Sequence, residues 1–373
     1  DQVEQVDQRQ IYGGKVSYQF DADLTGKAMN NQFGIEFRYD DINEVALYKT
    51  KQKQRLGSIV NDQVDELSIG LYWENQLEIT EKLRSTIGLR YDYYNFSVSS
   101  QLHENVYNIT LAANNGSTHD SLLSAKINLS YTINQQLEVY TSLGQGFHSN
   151  DARGTTVSLD AADGSLLEPV APLVKSFGAE LGLRSFWSDK LNVSMALWFL
   201  NLDSELIFVG DAGNTEASGQ SERKGLELTS YYYLDDIWSL DVELALTDST
   251  YSNEPSDLNK IPGAIDKVLQ LGISGHWDNG LFGSVRLRYF GDRPLNESGD
   301  VRSDSTKVVN ARFGYRIQNW TVKLDGLNLL NSDAHDIDYY YESQLANEPA
   351  PVADYHFHPL EPRTVRLSIS YNF

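Results

Sequence analysis

Apolar and polar residues alternate one by one along almost the whole chain. In the last segment Val365, Leu367, Ile369, Tyr371 and Phe373 fall on one side, and Thr364, Arg366, Ser368, Ser370 and Asn372 on the other. Val309, Ala311, Phe313, Tyr315 and Ile317 likewise oppose Asn310, Arg312, Gly314 and Arg316, while Val285, Leu287 and Tyr289 oppose Arg286 and Arg288. The same holds for Ile127, Leu129, Tyr131 and Ile133, and for Leu240, Val242, Leu244 and Leu246. A period of two predicts strands with one apolar face, because successive side chains of an extended chain point to opposite sides. A helix needs apolar spacings of three and four, which these segments lack. Short polar turns are expected near 24–28, 80–82, 134–136, 188–190, 235–236, 278–280 and 318–319. Long loops are expected near 41–61, 99–118, 149–171, 203–221, 248–263, 291–306 and 328–361. Short and long alternate, which predicts about 15 strands.

The predicted fold is all-β, a transmembrane antiparallel up-and-down β-barrel with tight periplasmic turns and long extracellular loops. A lipocalin-like barrel or a sandwich seldom sustains so many hairpins with one end always short. A propeller or β-helix would show a repeat, and none is present. The first connection is short and the last is long, so the first and last strands run in the same direction. A closed single-chain bacterial barrel is antiparallel with an even strand number. The expectation is therefore a chain that does not close on itself, with strands missing on the N-terminal side.

Composition narrows the picture further. There is no cysteine, which excludes disulfides and thiolate metal sites. Asp and Glu total 52 against 30 Lys and Arg, a net charge of −22. That balance argues against nucleic acid as a partner, since phosphate binding needs clustered cations. No apolar run approaches the roughly 18 residues of a membrane helix; the most apolar stretch, 195–200, is far shorter. Low average hydropathy does not exclude a membrane barrel, whose strands alternate. The opening Asp1-Gln2-Val3-Glu4 lacks the basic and apolar regions of a signal peptide, so the signal is expected to be cleaved or to lie upstream.

The terminal aromatic Phe373, preceded by apolar residues at every second position back to Val365, resembles the C-terminal pattern of outer-membrane proteins. That resemblance implies that Val365, Leu367, Ile369, Tyr371 and Phe373 form the signal read by the barrel-assembly machinery. Three internal stretches resemble the barrel of TonB-dependent receptors. They are Gly144-Gln145-Gly146-Phe147-His148-Ser149-Asn150-Asp151-Ala152-Arg153-Gly154, Ile87-Gly88-Leu89-Arg90-Tyr91-Asp92, and Leu327-Asn328-Leu329-Leu330-Asn331 with its loop closing at His358-Pro359-Leu360-Glu361-Pro362-Arg363. The resemblance spans essentially the whole chain. It implies a barrel of about 22 strands around an N-terminal plug, ligand capture at the cell surface, and import driven by TonB through that plug. Neither plug nor TonB box is visible here. Residues 1–373 are thus expected to be the C-terminal part of the barrel domain, in the bacterial outer membrane and in contact with its lipid.

Within that frame the expected activity is active import of a scarce nutrient or metal chelate, a ferric siderophore first, with no cofactor and no enzymatic step. A passive porin-type channel is the alternative, and an outer-membrane barrel enzyme a more distant one. Arg286, Arg288, Arg312, Arg316 and Arg366 fall on the lumen side. They either present a basic wall to anionic chelates or pair with acidic neighbours or a plug, and the pairing is preferred. His356 and His358, two apart on an extended segment with His335 earlier in the same loop, could share a metal or haem iron. His148 and Arg153 lie at the base of another loop. Ordinary hydrogen bonding is the preferred reading for these histidines. Tyr339, Tyr340 and Tyr341 either grip an aromatic chelate or belong to an interfacial girdle. Acidic loops at 203–205 and 248–257 could hold calcium, but no EF-hand spacing is present, and solvated charge is preferred.

Overall fold

A computed structural model describes residues 2–204, 206–209, 214–217, 219–345 and 347–373. The strands are β1 (Gln2–Leu24), β2 (Lys27–Lys51), β3 (Gln54–Glu78), β4 (Leu83–Ser100), β5 (Gly116–Asn134), β6 (Leu137–Ser149), β7 (Leu173–Trp187) and β8 (Leu191–Leu202). They continue with β9 (Leu206–Val209), β10 (Asn214–Ala217), β11 (Ser221–Tyr233), β12 (Trp238–Tyr251), β13 (Lys267–His276), β14 (Leu281–Phe290) and β15 (Thr306–Ile317). The last are β16 (Trp320–Leu327), β17 (His335–Ser343), β18 (Val352–Pro359) and β19 (Thr364–Tyr371), and one short helix, α1 (Ala152–Thr156), interrupts the series. Fifteen strands form one sheet in chain order, with β9–β10 and β17–β18 set apart as two-stranded hairpins. The strand number expected from the alternation, about 15, is that of the main sheet among the described residues. No helix among the described residues is long and apolar enough to cross a membrane.

Three of the expected loops contain strands. The stretch 41–61 is the top of the β2–β3 hairpin, whose ladder runs to Lys51↔Gln54. Its turn is only Gln52 and Lys53, with φ of 51° and 63°. Two positive φ values give the mirror-image turn whose twist suits paired strands. The alternation fades there because a strand that has left the hydrocarbon needs no apolar face, while its backbone pairing persists. At 25 residues each and about 3.3 Å per residue, β2 and β3 are far longer than the roughly 9–11 residues that cross a bilayer. Stretches 203–221 and 328–361 likewise hold the β9–β10 and β17–β18 hairpins.

Contacts divide the chain into two compact units, one of residues 1–129, 142–178 and 202–218, the other of 130–141, 179–201 and 219–373. In the first unit Val16, Ile35, Leu71 and Tyr91 form a row across β1–β4 and are all exposed. The next row, on the opposite face, is Lys15, Glu36, Gly70 and Asp92. Large apolar side chains left in water forgo about 1.5–3 kcal/mol each, so a face made of them belongs in lipid. In the second unit the exposed face of β16 and β19 is built of Leu324↔Leu367, Val322↔Ile369 and Trp320↔Tyr371, with Phe373 beyond. The residues expected to form the assembly signal thus stand on the exposed apolar face.

Candidate functional site

The polar face of the first unit is a ladder of ion pairs. Lys15 Nζ lies 2.8 Å from Glu36, and Glu36 accepts a 2.9 Å hydrogen bond from Arg90 Nη1. Arg90 also pairs with Asp92 at 2.8 Å, and Lys126 with Glu74 at 2.7 Å. Arg90 crosses from β4 to β2 over Gly70, where a Cβ would collide with the guanidinium. Glycine at this position lets one arginine serve two carboxylates on different strands. A cavity of about 460 Å³ opens over this wall, bordered by Lys15, Glu36, Tyr72, Arg90, Ser124 and Lys126.

Higher on the same face, the segment between β6 and β7 folds down onto the sheet. Asp151 caps α1 by accepting from the Arg153 backbone N–H at 2.8 Å, and it holds the Arg153 guanidinium at 2.6 Å. Ala152 is fully buried against Phe96, Val98, Val64 and Ile42. Asn150 closes the base, its N–H donating to Pro172 O and its amide to Ala171 O. Asn114 accepts from the N–H groups of Ser158 and Leu159 and donates to Leu159 O, while Asn105 donates to Ala161 O. Two asparagines thereby stitch the loop after β4 to the loop after β6. Burial would raise the Asp151 carboxyl, but hydrogen bonds and charge from Arg153 outweigh it, leaving it below its ordinary value. Burial likewise opposes the Arg153 charge, and Asp151 more than restores it. His148 Nε2 and Asn150 Oδ1 are buried atoms with no hydrogen-bond partner among the described residues.

The histidines and tyrosines of the second unit do not converge on one point. His335 Nδ1 lies 2.6 Å from Asp338, whose other oxygen takes the Arg293 guanidinium at 2.7 Å, and its ring stacks on Phe357 at 3.8 Å. His356 Nε2 meets Ser343 Oγ at 2.8 Å and its ring stacks on Tyr341 at 3.7 Å. His358 lies 2.8 Å from Asp336. Each imidazole therefore has its own partner, and no group of three or more metal-ligating side chains occurs among the described residues. The three tyrosines are not one cluster either. Strand alternation puts Tyr339 and Tyr341 on one face, with His356 opposite Tyr339, and turns Tyr340 to the other, where it packs edge-on against Tyr355. Glu205, part of an acidic stretch considered for calcium, lies outside the described residues.

Two of the lumen-side arginines are paired. Arg286 donates to both oxygens of Asp241 at 3.0 Å, and Arg312 to Asp325 at 2.5 Å. Arg316 sits over the Phe282 ring at 5.6 Å. Arg288 stands opposite Gln270, and Arg366 opposite Asp325. Sequence reasoning passed over Lys15, Glu36, Phe96 and Ala152. Their signal is polar or aromatic positions on the inward side of strands and a small residue inside the loop motif, neither of which stands out without the partner strands.

Residues 2–329 match the family described as TonB dependent receptor-like, β-barrel. Among solved structures, the ferric yersiniabactin uptake receptor FyuA of Yersinia pestis matches over 98% of this chain and 54% of its own, at 15% identity and a TM-score of 0.72. The ferric-catecholate import receptor Fiu of E. coli K12, in its closed form, matches over 98% and 55%, at 15% identity and a TM-score of 0.74. The copper transporter OprC matches over 98% and 56%, at 17% identity and a TM-score of 0.72. The chain spans little more than half the length of these proteins. Together with the apolar outer belt and the ion-paired opposite face, the family match over most of the chain establishes that it belongs to the TonB-dependent receptors, as part of their outer-membrane β-barrel.

Proposed function

We propose that residues 1–373 act as one barrel-wall domain of a receptor that takes up a scarce nutrient chelate, a ferric siderophore first, with energy from TonB. The observation that carries this reading is the polar face. Many of its charges are paired within the wall, and one of its loops is folded down onto it, as suits a conduit lined for a polar solute and a packed plug. The names of FyuA and Fiu, ferric-chelate receptors of the same fold, support iron as the first metal to try. OprC carries copper on the same fold and keeps the metal itself a matter for experiment. TonB would act through a plug domain of the kind the family carries, the barrel-assembly machinery would read the strand ending at Phe373, and outer-membrane lipid would cover the apolar belt. Ligand contact belongs to Tyr339, Tyr341, His356 and His358, which share one face of the β17–β18 hairpin, and to His148 and Arg153 at the base of the folded loop. No bond-making step is assigned.

The test is accumulation of iron-55 as ferric siderophore complexes in cells dependent on this receptor. Uptake that saturates and stops on loss of TonB or on collapse of the proton gradient supports the proposal. Uptake that persists without TonB and rises linearly with concentration would indicate a passive channel instead.

A further inference from the structure

On the apolar face of the second unit, Ile273, Val285, Ala311, Gly326 and Val365 stand in one row across β13, β14, β15, β16 and β19. The neighbouring row holds Gly283, Phe313 and Leu324. Three small residues among large ones leave a trough in what would otherwise be a level belt. Its volume is about 430 Å³, and its lining is almost wholly apolar. Phe313, Leu324 and Val365 are exposed and form its walls. One end is bounded by Trp238 and Trp277, packed edge to face at 5.1 Å beside the short β13–β14 connection. The other end is bounded by Leu329. A Cβ on Gly326 would come within 2.7 Å of Leu329 Cδ2, so glycine at 326 leaves room for that side chain as it lies here.

The trough continues the apolar belt that meets the bilayer, and that continuity decides its occupant. Water has too few polar partners here, and leaving the trough empty would forfeit dispersion contacts along its length. A protein partner would need a ridge to match, whereas the bilayer supplies slender apolar chains at high concentration. The tryptophan pair marks the end at which an amphipathic head group would sit, since indoles favour the membrane–water boundary. We propose that this trough binds one acyl chain of a phospholipid, its head group at the Trp238–Trp277 end, more tightly than lipid is held elsewhere on the belt.

The test is native mass spectrometry of the whole receptor, purified from outer membranes and washed in detergent. Wild-type protein should retain one phospholipid. Ala311→Phe, which fills the trough, should lower its occupancy about tenfold, the loss of about 1.4 kcal/mol of binding. Leu123→Phe, an exposed apolar position in the first unit, should leave it unchanged. Absence of retained phospholipid on the wild type, equal retention by Ala311→Phe, or retention of lipopolysaccharide in its place would each overturn the proposal. A second measurement needs no filled variant. Phospholipid with brominated chains should quench Trp238 and Trp277 at a lower lipid fraction than it quenches the other tryptophans, each assigned by Trp→Phe substitution. Equal quenching of all of them would also overturn the proposal.

Discussion

Replacing Ala152 by leucine probes how the loop between β6 and β7 is held on the polar face. Ala152 has no exposed surface, and Phe96 beneath it has none either. Three extra carbons cannot fit there without shifting the ring or lifting α1. Overpacking of this kind costs about 1–3 kcal/mol. The strands below are tied by long ladders, of which β2–β3 alone runs from Met29 to Lys51. The loop is tied to the rest of the unit by fewer bonds, chiefly those of Asn114 with Ser158 and Leu159 and of Asn105 with Ala161. The cost should therefore fall on loop docking rather than on the sheet. A penalty of that size lowers the docked-to-undocked ratio by roughly 5- to 150-fold. Hydrogen exchange read by mass spectrometry would show it as faster exchange in peptides from 150–172, with peptides from β2 and β3 unchanged. Unaltered exchange in 150–172 would refute the anchoring role of Ala152. Equal acceleration in β2 and β3 would refute the idea that the loop docks as a separate unit.

Other outcomes follow from the same geometry. Arg90→Met leaves the buried Asp92 without its cation and Glu36 with Lys15 alone. Breaking fully buried pairs costs about 3–5 kcal/mol, and the partial exposure of Arg90 reduces the expectation to on the order of 2 kcal/mol, read as a lower temperature for the heat-induced mobility shift on gels. Asp151 is held below its ordinary 3.8 in the folded state. A depressed carboxyl stabilises the docked loop above that value and stops doing so as pH falls through the lowered one. Protection of 150–172, corrected for the intrinsic exchange rate, should thus fall as pH drops below 3.8 in the wild type, and Asp151→Asn should show weak protection with no such step. Tyr339→Ala should weaken ligand binding without disturbing the β17–β18 hairpin. Tyr340→Ala should loosen that hairpin by about 0.5–1.5 kcal/mol through loss of its contact with Tyr355, seen as faster exchange of 335–359.

What was legible from sequence alone was whatever depends on near neighbours in the chain. Alternation at Val365–Phe373 and at Val309–Ile317 determined the strands and which of their sides is apolar, because side-chain direction in a strand is set by parity. The spacing of turns determined the number of strands in the sheet, and each tight turn pairs the two strands it joins. Loops 41–61 and 328–361 were misread because, beyond the hydrocarbon, no solvent difference marks one face from the other. The site was much less legible. Tertiary structure alone decided that Arg90 spans two strands over Gly70, that Ala152 is the anchor of a loop, and that Tyr340 turns away from Tyr339 and Tyr341. It also decided that His335, His356 and His358 each find a separate hydrogen-bond partner. These facts depend on register and on contacts between residues far apart in the chain. A shift of one residue in register would turn every side chain to the other face, so only the assembled sheet settles which groups meet.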